Sequence, residues 1–254
     1  MKINAIFGSV VGDIIGSVYE FNPTKDYNFE MFNPNSHFTD DSVLTMSVAK
    51  TILAQSNYDD NLIRFYKNYP DRKYGPGFLN WINTGVRQYS FGNGAPMRVS
   101  AIGNYFTQSD LVLSESSKAV EMTHSHPEGI KGAQAIALAI FMAKRGYSKK
   151  DIKDHIQRHF LYDLNFNIKD IRDDYSFNPT SQGSVPQSLI CFFESNDFES
   201  AIRLAISLGG DSDTLACMTG GIASVYYKDI PSEIISFCEE RLPDEFIQII
   251  NMFD

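Results

Sequence analysis

Asp211-Ser212-Asp213-Thr214-Leu215-Ala216-Cys217-Met218 sets two carboxylates and a hydroxyl at the head of a strongly apolar, helix-like stretch. A counterpart stands about 170 residues earlier: Thr39-Asp40-Asp41-Ser42-Val43-Leu44-Thr45-Met46. Neither has a Lys or Arg within the next several positions. Taken singly, each reads as capping, because acids in a first turn complement the helix dipole and Thr39 is a good N-cap. The pair is harder to dismiss. Both starts abut apolar sequence and hence the core, where adjacent carboxylates repel and raise one another's pKa. Four carboxylates and two Thr hydroxyls form an all-oxygen ligand set, suited to hard cations such as Mg²⁺ or Mn²⁺. If the fold brings the two starts together, they make a metal centre with room for two ions.

Working outward, the hydrophobic period is helical wherever it is clear. Phe198, Ala201, Ile202, Ala205 and Leu208 share one helical face, as do Ile234, Ile235, Cys238 and Leu242. Pro127-Glu128 opens a helix that runs to Gly146, and Ser148 with Asp151 resembles a capping box. Convincing strand alternation is hard to find: even Val225-Tyr226-Tyr227 continues a helical pattern, so little or no sheet is expected. The expectation is an all-α chain of ten or more helices, a single domain over residues 1–254. Looser segments at 21–38, 69–78, 90–98 and 165–185 are rich in Asn, Pro, Gly and aromatics. Loops on a rigid helical body are where a site is built.

Bulk properties narrow the function classes. Lys and Arg number 22 against 31 Asp and Glu, a net charge of −9, and the basic residues are scattered. This argues against a nucleic-acid backbone as the main partner, since that requires clustered cations. No apolar run reaches the ~20 residues of a membrane span. Cys191, Cys217 and Cys238 are widely spaced and odd in number, which reads as buried thiols in a reducing compartment. Asn4 and Asp13 count against a cleaved leader. A cytoplasmic monomer is the default expectation.

Three further elements accompany the acidic pair. Gly8, Gly12, Gly16 and Glu20 recur every fourth residue, so a helix would carry them on one face and let another backbone approach closely. Glu20 then ends the stripe beside the 21–38 loop, as a candidate carboxylate aimed at the metal site. Ser90-Phe91-Gly92-Asn93-Gly94 offers a turn with φ > 0 and successive N–H groups, a candidate anion nest, without being a Walker or dinucleotide motif. In Thr123-His124-Ser125-His126-Pro127, His126 reads as a helix cap and His124 as a pocket residue.

In this order, the elements resemble the ADP-ribosylglycohydrolase family. The matching stretches are Gly12-Asp13-Ile14-Ile15-Gly16-Ser17-Val18-Tyr19-Glu20, Phe38-Thr39-Asp40-Asp41-Ser42, Gly92-Asn93-Gly94-Ala95-Pro96-Met97-Arg98, Thr123-His124-Ser125-His126-Pro127 and Leu208-Gly209-Gly210-Asp211-Ser212-Asp213-Thr214. The resemblance implies a roughly orthogonal multi-helix bundle with two divalent cations, Mg²⁺ before Mn²⁺. It implies Thr39, Asp40, Asp41, Asp211, Asp213 and Thr214 as ligands. Glu20, with Asp40 and Asp213, would be catalytic, and Ser90, Gly92, Asn93, Gly94 and His124 would hold ADP-ribose. The implied substrate is an ADP-ribosylated protein or a small-molecule conjugate, cut at C1″ of the distal ribose. Pro96 and Ser212 depart from the family's usual residues without removing a ligand side chain. A non-catalytic ADP-ribose or nucleotide binder and a metal-dependent phosphoesterase are the competing readings.

Overall fold

The twelve residues Ala5–Gly16 form α1, and every one of them is buried. The computed structural model describes residues 1–254. Asn4 caps α1, its side chain accepting the Phe7 N–H at 3.0 Å. A helix apolar on all sides belongs at the centre of a protein. Its main partner is α12, Ser212–Tyr227, which is buried from Ser212 to Val225.

The glycine stripe explains how closely these two pack. A Cβ on Gly12 would lie 2.0 Å from the Ala216 carbonyl oxygen, and one on Gly8 2.3 Å from that of Gly220. At Gly16 it would stand 2.5 Å from the Asp213 Cα. Backbone therefore rests on backbone along the whole length of α1. The last of these contacts fixes the head of α12.

Twelve more α-helices surround the pair. They are α2 (Asp40–Ala54), α3 (Tyr58–Asn68), α4 (Pro76–Thr84), α5 (Ser100–Tyr105), α6 (Ser109–Val120), α7 (Pro127–Lys144), α8 (Lys149–Phe160), α9 (Ile168–Ile171), α10 (Ser181–Glu194), α11 (Phe198–Ile206), α13 (Ser232–Glu239) and α14 (Asp244–Asn251). A single 3₁₀ turn, Pro96–Arg98, precedes α5. There is no sheet; one isolated bridge pairs Gly92 with Thr180. One continuous apolar core runs from Ala5 to Phe253. The three cysteines are free and buried in it. No helix is long and apolar enough to cross a membrane.

The local signals behave as their chemistry requires. Ser148 caps α8 by accepting the Asp151 N–H, and His126 caps α7 by accepting the Glu128 N–H. Val225, Tyr226 and Tyr227 continue α12. Three boundaries differ from the sequence reading. Glu20 is not on the stripe's helix, because α1 ends at Gly16 and the chain turns. Leu208 lies beyond α11, in a turn where Gly209 takes φ +71°. Leu242 lies beyond α13. The looser segments also hold more helix than expected, with α4 beginning inside 69–78 and α9 lying inside 165–185.

Two cations pin the outer loops. The Lys25 ammonium donates to the carbonyls of Tyr175 at 2.5 Å and Leu208 at 2.7 Å, and also to that of Arg172. Arg203 Nη1 donates to the carbonyls of Tyr27 and Phe29 at 3.3 and 3.2 Å. Segment 21–38 is thereby tied to segment 165–185 and to α11.

The glycine contact is testable by denaturant unfolding. Gly12→Ala should destabilise by about 3 kcal/mol or more, because the opposing atoms are backbone and cannot swing aside. Gly77→Ala, which meets nothing within 4 Å, should stay within about 1 kcal/mol of wild type. Equal stability of the two variants would contradict the close packing.

Candidate metal centre and cleft

α1 reaches both acidic helix starts. On one side Gly16 rests against Ser212 and Asp213 at the head of α12. On another, fully buried Asp13 caps α2. Its carboxylate accepts the Thr39 N–H at 2.9 Å, the Thr39 hydroxyl at 2.7 Å, the Ser42 N–H at 3.0 Å and the Ser42 hydroxyl. Burial raises the Asp13 pKa, and those four donors oppose the shift. The sequence alone assigns Asp13 no place in the site. A lone acid inside an all-apolar helix is itself a signal, because a buried charge must find donors.

The two starts meet. Glu20, Asp211 and Asp213 bring carboxylate oxygens within 4.8 Å of one another. Asp41 joins from α2, close enough to raise the Asp213 pKa, with the Thr214 hydroxyl beside its carboxyl. Glu20, Asp40, Asp41, Ser90, Gly92, Asn93, Gly94, His124, Asp211, Asp213 and Thr214 all line one cleft of about 570 Å³, a size that suits a nucleotide-like ligand. Thr39 stands behind the cleft wall. Its hydroxyl donates to Asp13 and accepts the Asp41 N–H at 3.2 Å, which leaves one lone pair unused.

Electrostatics show what the cluster lacks. Burial, followed by the charges of Asp13 and Glu20, pushes Asp40 well above the carboxylate range. Burial, Asp13 and Asp40 do the same to Asp41. Burial, Asp211 and Asp41 do so for Asp213. Asp211 is raised by burial alone, against hydrogen bonds that include one from Asn93. Only Lys73 answers with an ion pair, 3.5 Å from Glu20 Oε2. Glu20 is pushed up to about 7 by burial and the Asp211 charge, with Lys73 opposing. Asp41 Oδ2 is buried without a hydrogen-bond partner. An orphaned carboxylate oxygen among mutually repelling carboxylates fits a divalent cation of the hard, oxygen-seeking kind.

The opposite wall is built by segment 90–98. Asn93 Nδ2 donates to Asp211 Oδ2 at 2.7 Å and to Ser184 at 3.2 Å, so this side chain locks the wall to the acidic cluster. The expected anion nest does not form. Neither Gly92 nor Gly94 has positive φ. The Gly92 N–H goes to Ser90 Oγ and the Asn93 N–H to the Pro179 carbonyl. The two glycines instead make room for His124, whose ring lies 3.2 to 3.4 Å from where their Cβ atoms would stand. His126 faces away, capping α7 and meeting Tyr89 and Phe91 edge-on. Exposed Phe21 and Phe177 stack at the rim with ring centroids 6.4 Å apart. No sequence signal marked that pair, since it joins two separate loops.

Comparison with known proteins agrees with this architecture. The sequence profile of the ADP-ribosylglycohydrolase family matches residues 3–253. Human ADP-ribosylhydrolase ARH3 is 26% identical over 323 aligned residues, covering 91% of this chain and 87% of that protein. The alignment is longer than this chain, so that relative carries insertions within it. An uncharacterised protein of Archaeoglobus fulgidus is 25% identical, covering 96% of this chain and 92% of its own length. A solved structure described as an ADP-ribosylglycohydrolase-related protein complex superposes with a TM-score of 0.75, covering 98% of this chain and 96% of its own. At 22% identity that match speaks to the fold. With its profile matched almost end to end and both acidic helix starts meeting in one cleft, the chain belongs to the ADP-ribosylglycohydrolase family.

Proposed function

We propose that this chain hydrolyses the C1″ glycosidic or ester bond of ADP-ribose conjugates, releasing ADP-ribose from a protein side chain or a small molecule. The observation that carries the reading is the convergence of Glu20 with Asp211 and Asp213 in a nucleotide-sized cleft. The proposed cofactors are two divalent cations, Mg²⁺ before Mn²⁺. The proposed ligands are Asp40, Asp41, Asp211, Asp213 and the hydroxyls of Thr39 and Thr214. Such cations supply Lewis acidity toward oxygen groups of the sugar and offset the clustered negative charge.

The chain's own residues divide the remaining work. Cleavage at C1″ builds positive character on the ribose, adds water and returns a proton to the leaving group. Glu20, half-buried and pushed up to about 7, exchanges a proton near neutral pH. Ser90, Gly92, Gly94 and His124 line the wall that would hold the ADP portion. Asn93 acts at one remove, by orienting Asp211. Segments 21–38 and 165–185 supply the rim and are the proposed selectors of the acceptor. Glu20 also favours an enzyme over a binder, because binding alone has no use for a titrating carboxyl beside repelling acids.

A conjugate panel tests the reaction class. Arg-linked, Ser-linked and O-acetyl ADP-ribose are each incubated with Mg²⁺, Mn²⁺ or chelator, and free ADP-ribose is measured. Metal-dependent release from one of them is expected. In Glu20→Gln the rate should fall by ~10²-fold or more while ADP-ribose affinity stays within a few-fold. Equal loss of rate and affinity would make Glu20 a binder.

The acid cluster also sets a pH dependence. The folded-state pKa values of Asp13, Asp40, Asp41, Asp211, Asp213 and Glu20 are all raised. Raised acids bind extra protons in the folded state. Their contribution is full below the ordinary carboxylate range and is lost as pH rises through the raised values. The chelated protein should therefore melt lower at about pH 8 than at about pH 5.5, and the gain in Tm on adding Mg²⁺ should be larger at pH 8. A Mg²⁺ shift that shrinks with rising pH would count against cation binding at these carboxylates.

A further inference from the structure

Arg98 is the largest fully buried side chain in the protein, at 0% exposure, and it has no carboxylate partner within ion-pair distance. A buried arginine that only cements a fold is normally paired, because an uncompensated charge in the interior is costly. Here Nε and Nη1 have no hydrogen-bond partner at all. Nη2 alone is engaged: it donates to the Thr123 hydroxyl and, at 3.1 Å, to His124 Nδ1. Arg98 and His124 both line the cleft.

The last contact has a chemical consequence. A guanidinium has donors and no acceptor, so Nδ1 must receive the bond and cannot carry a proton. The Thr123 hydroxyl, 2.8 Å from the same Nδ1, is compatible with that arrangement. A neutral imidazole with a bare Nδ1 carries its hydrogen on Nε2. Nε2 has no protein partner. It is the ring atom that lies over Gly92 and Gly94, 3.4 and 3.2 Å from their would-be Cβ positions. The segment from Ser90 to Gly94 bears no charge. On the first turn of α7, His126 is turned to the Glu128 N–H, and Glu128 itself pairs with Lys131. Arg98 is the one charge that bears on the His124 ring. Burial first and that charge second hold the imidazole well below its ordinary pKa.

We infer that Arg98 is a positioning residue: it fixes His124 as a neutral Nε2–H donor aimed into the cleft, toward an anionic oxygen of the ligand. This rests on the functional reading above in naming the ligand as ADP-ribose, whose diphosphate is the anion concerned. The position of Arg98 also sets a permanent positive charge beneath the wall of an otherwise acidic protein. Its field favours a dianionic guest there.

The test uses full-length protein with ¹⁵N-labelled histidine, the His124 resonances being assigned with His124→Gln. Wild type should show a bare Nδ1 and a protonated Nε2 between about pH 5.5 and 8, unchanged over that range. In Arg98→Met, His124 should titrate within the range. ADP-ribose affinity, measured by calorimetry, should fall ~10-fold at the upper end and recover partly toward acid pH as the freed ring becomes charged. Arg98→Lys keeps a donor and the charge, so it should retain the wild-type titration; if the methionine variant does not fold, the wild-type tautomer decides. A proton on Nδ1 in wild type overturns the assignment, as does a His124 in Arg98→Met that titrates no differently from wild type. If the tautomer behaves as stated while wild type fails to bind ADP-ribose, the assignment stands and the functional reading falls.

Discussion

Backbone-to-backbone packing of α1 on α12 is the constraint on which the rest of the molecule depends. Three glycines at every fourth position remove the side chains that would hold the two helices apart. The third of them, Gly16, meets Asp213 at the head of α12. One turn earlier, Asp13 leaves the same helix toward α2 and binds the backbone and hydroxyls of Thr39 and Ser42. A single rigid helix therefore gauges the separation of two acidic segments that lie far apart in sequence. Any side chain at Gly12 or Gly16 would separate the helices and with them the carboxylates.

What α1 assembles is electrostatically unfavourable on its own terms. Glu20, Asp40, Asp41, Asp211 and Asp213 crowd one end of a cleft; burial opposes the ionisation of all five, and neighbouring carboxylates add to it for all but Asp211. The interior supplies hydrogen bonds to some of them, notably from Asn93 to Asp211. It supplies nothing to Asp41 Oδ2. A fold selected for stability alone would replace such residues with neutral ones; their combination is understandable where a cation completes the site. Lys73 alone pairs with the cluster, at Glu20, while Lys25 and Arg203 tie down the rim loops and Arg98 sits under the opposite wall.

Much of this was legible in the sequence, for identifiable reasons. Helices announce themselves by period and by caps, and Ser148, His126 and the Pro127 start each acted as their side-chain chemistry dictates. The glycine stripe announced close approach because glycine in a helix has a propensity cost that only packing offsets. Properties created by tertiary contact were not legible. Whether Gly92 and Gly94 turn with positive φ or yield space to a ring depended on where His124 arrives, from α7's end of the chain. Glu20 left its helix because the chain turns directly after Gly16. The role of Asp13 depended on Thr39 and Ser42 being adjacent in space. Phe21 and Phe177 became a pair only when Lys25 drew their loops together.

On the reading proposed above, α1 holds the two acidic helix starts at a spacing that receives divalent cations. Anomalous diffraction from crystals grown with Mn²⁺ tests it most directly. Two manganese peaks between Asp40 and Asp41 on one side and Asp211 and Asp213 on the other, with Asp41 Oδ2 among the ligands, are the expected result. Manganese bound elsewhere, with this cluster left to protons and water at neutral pH, would contradict it.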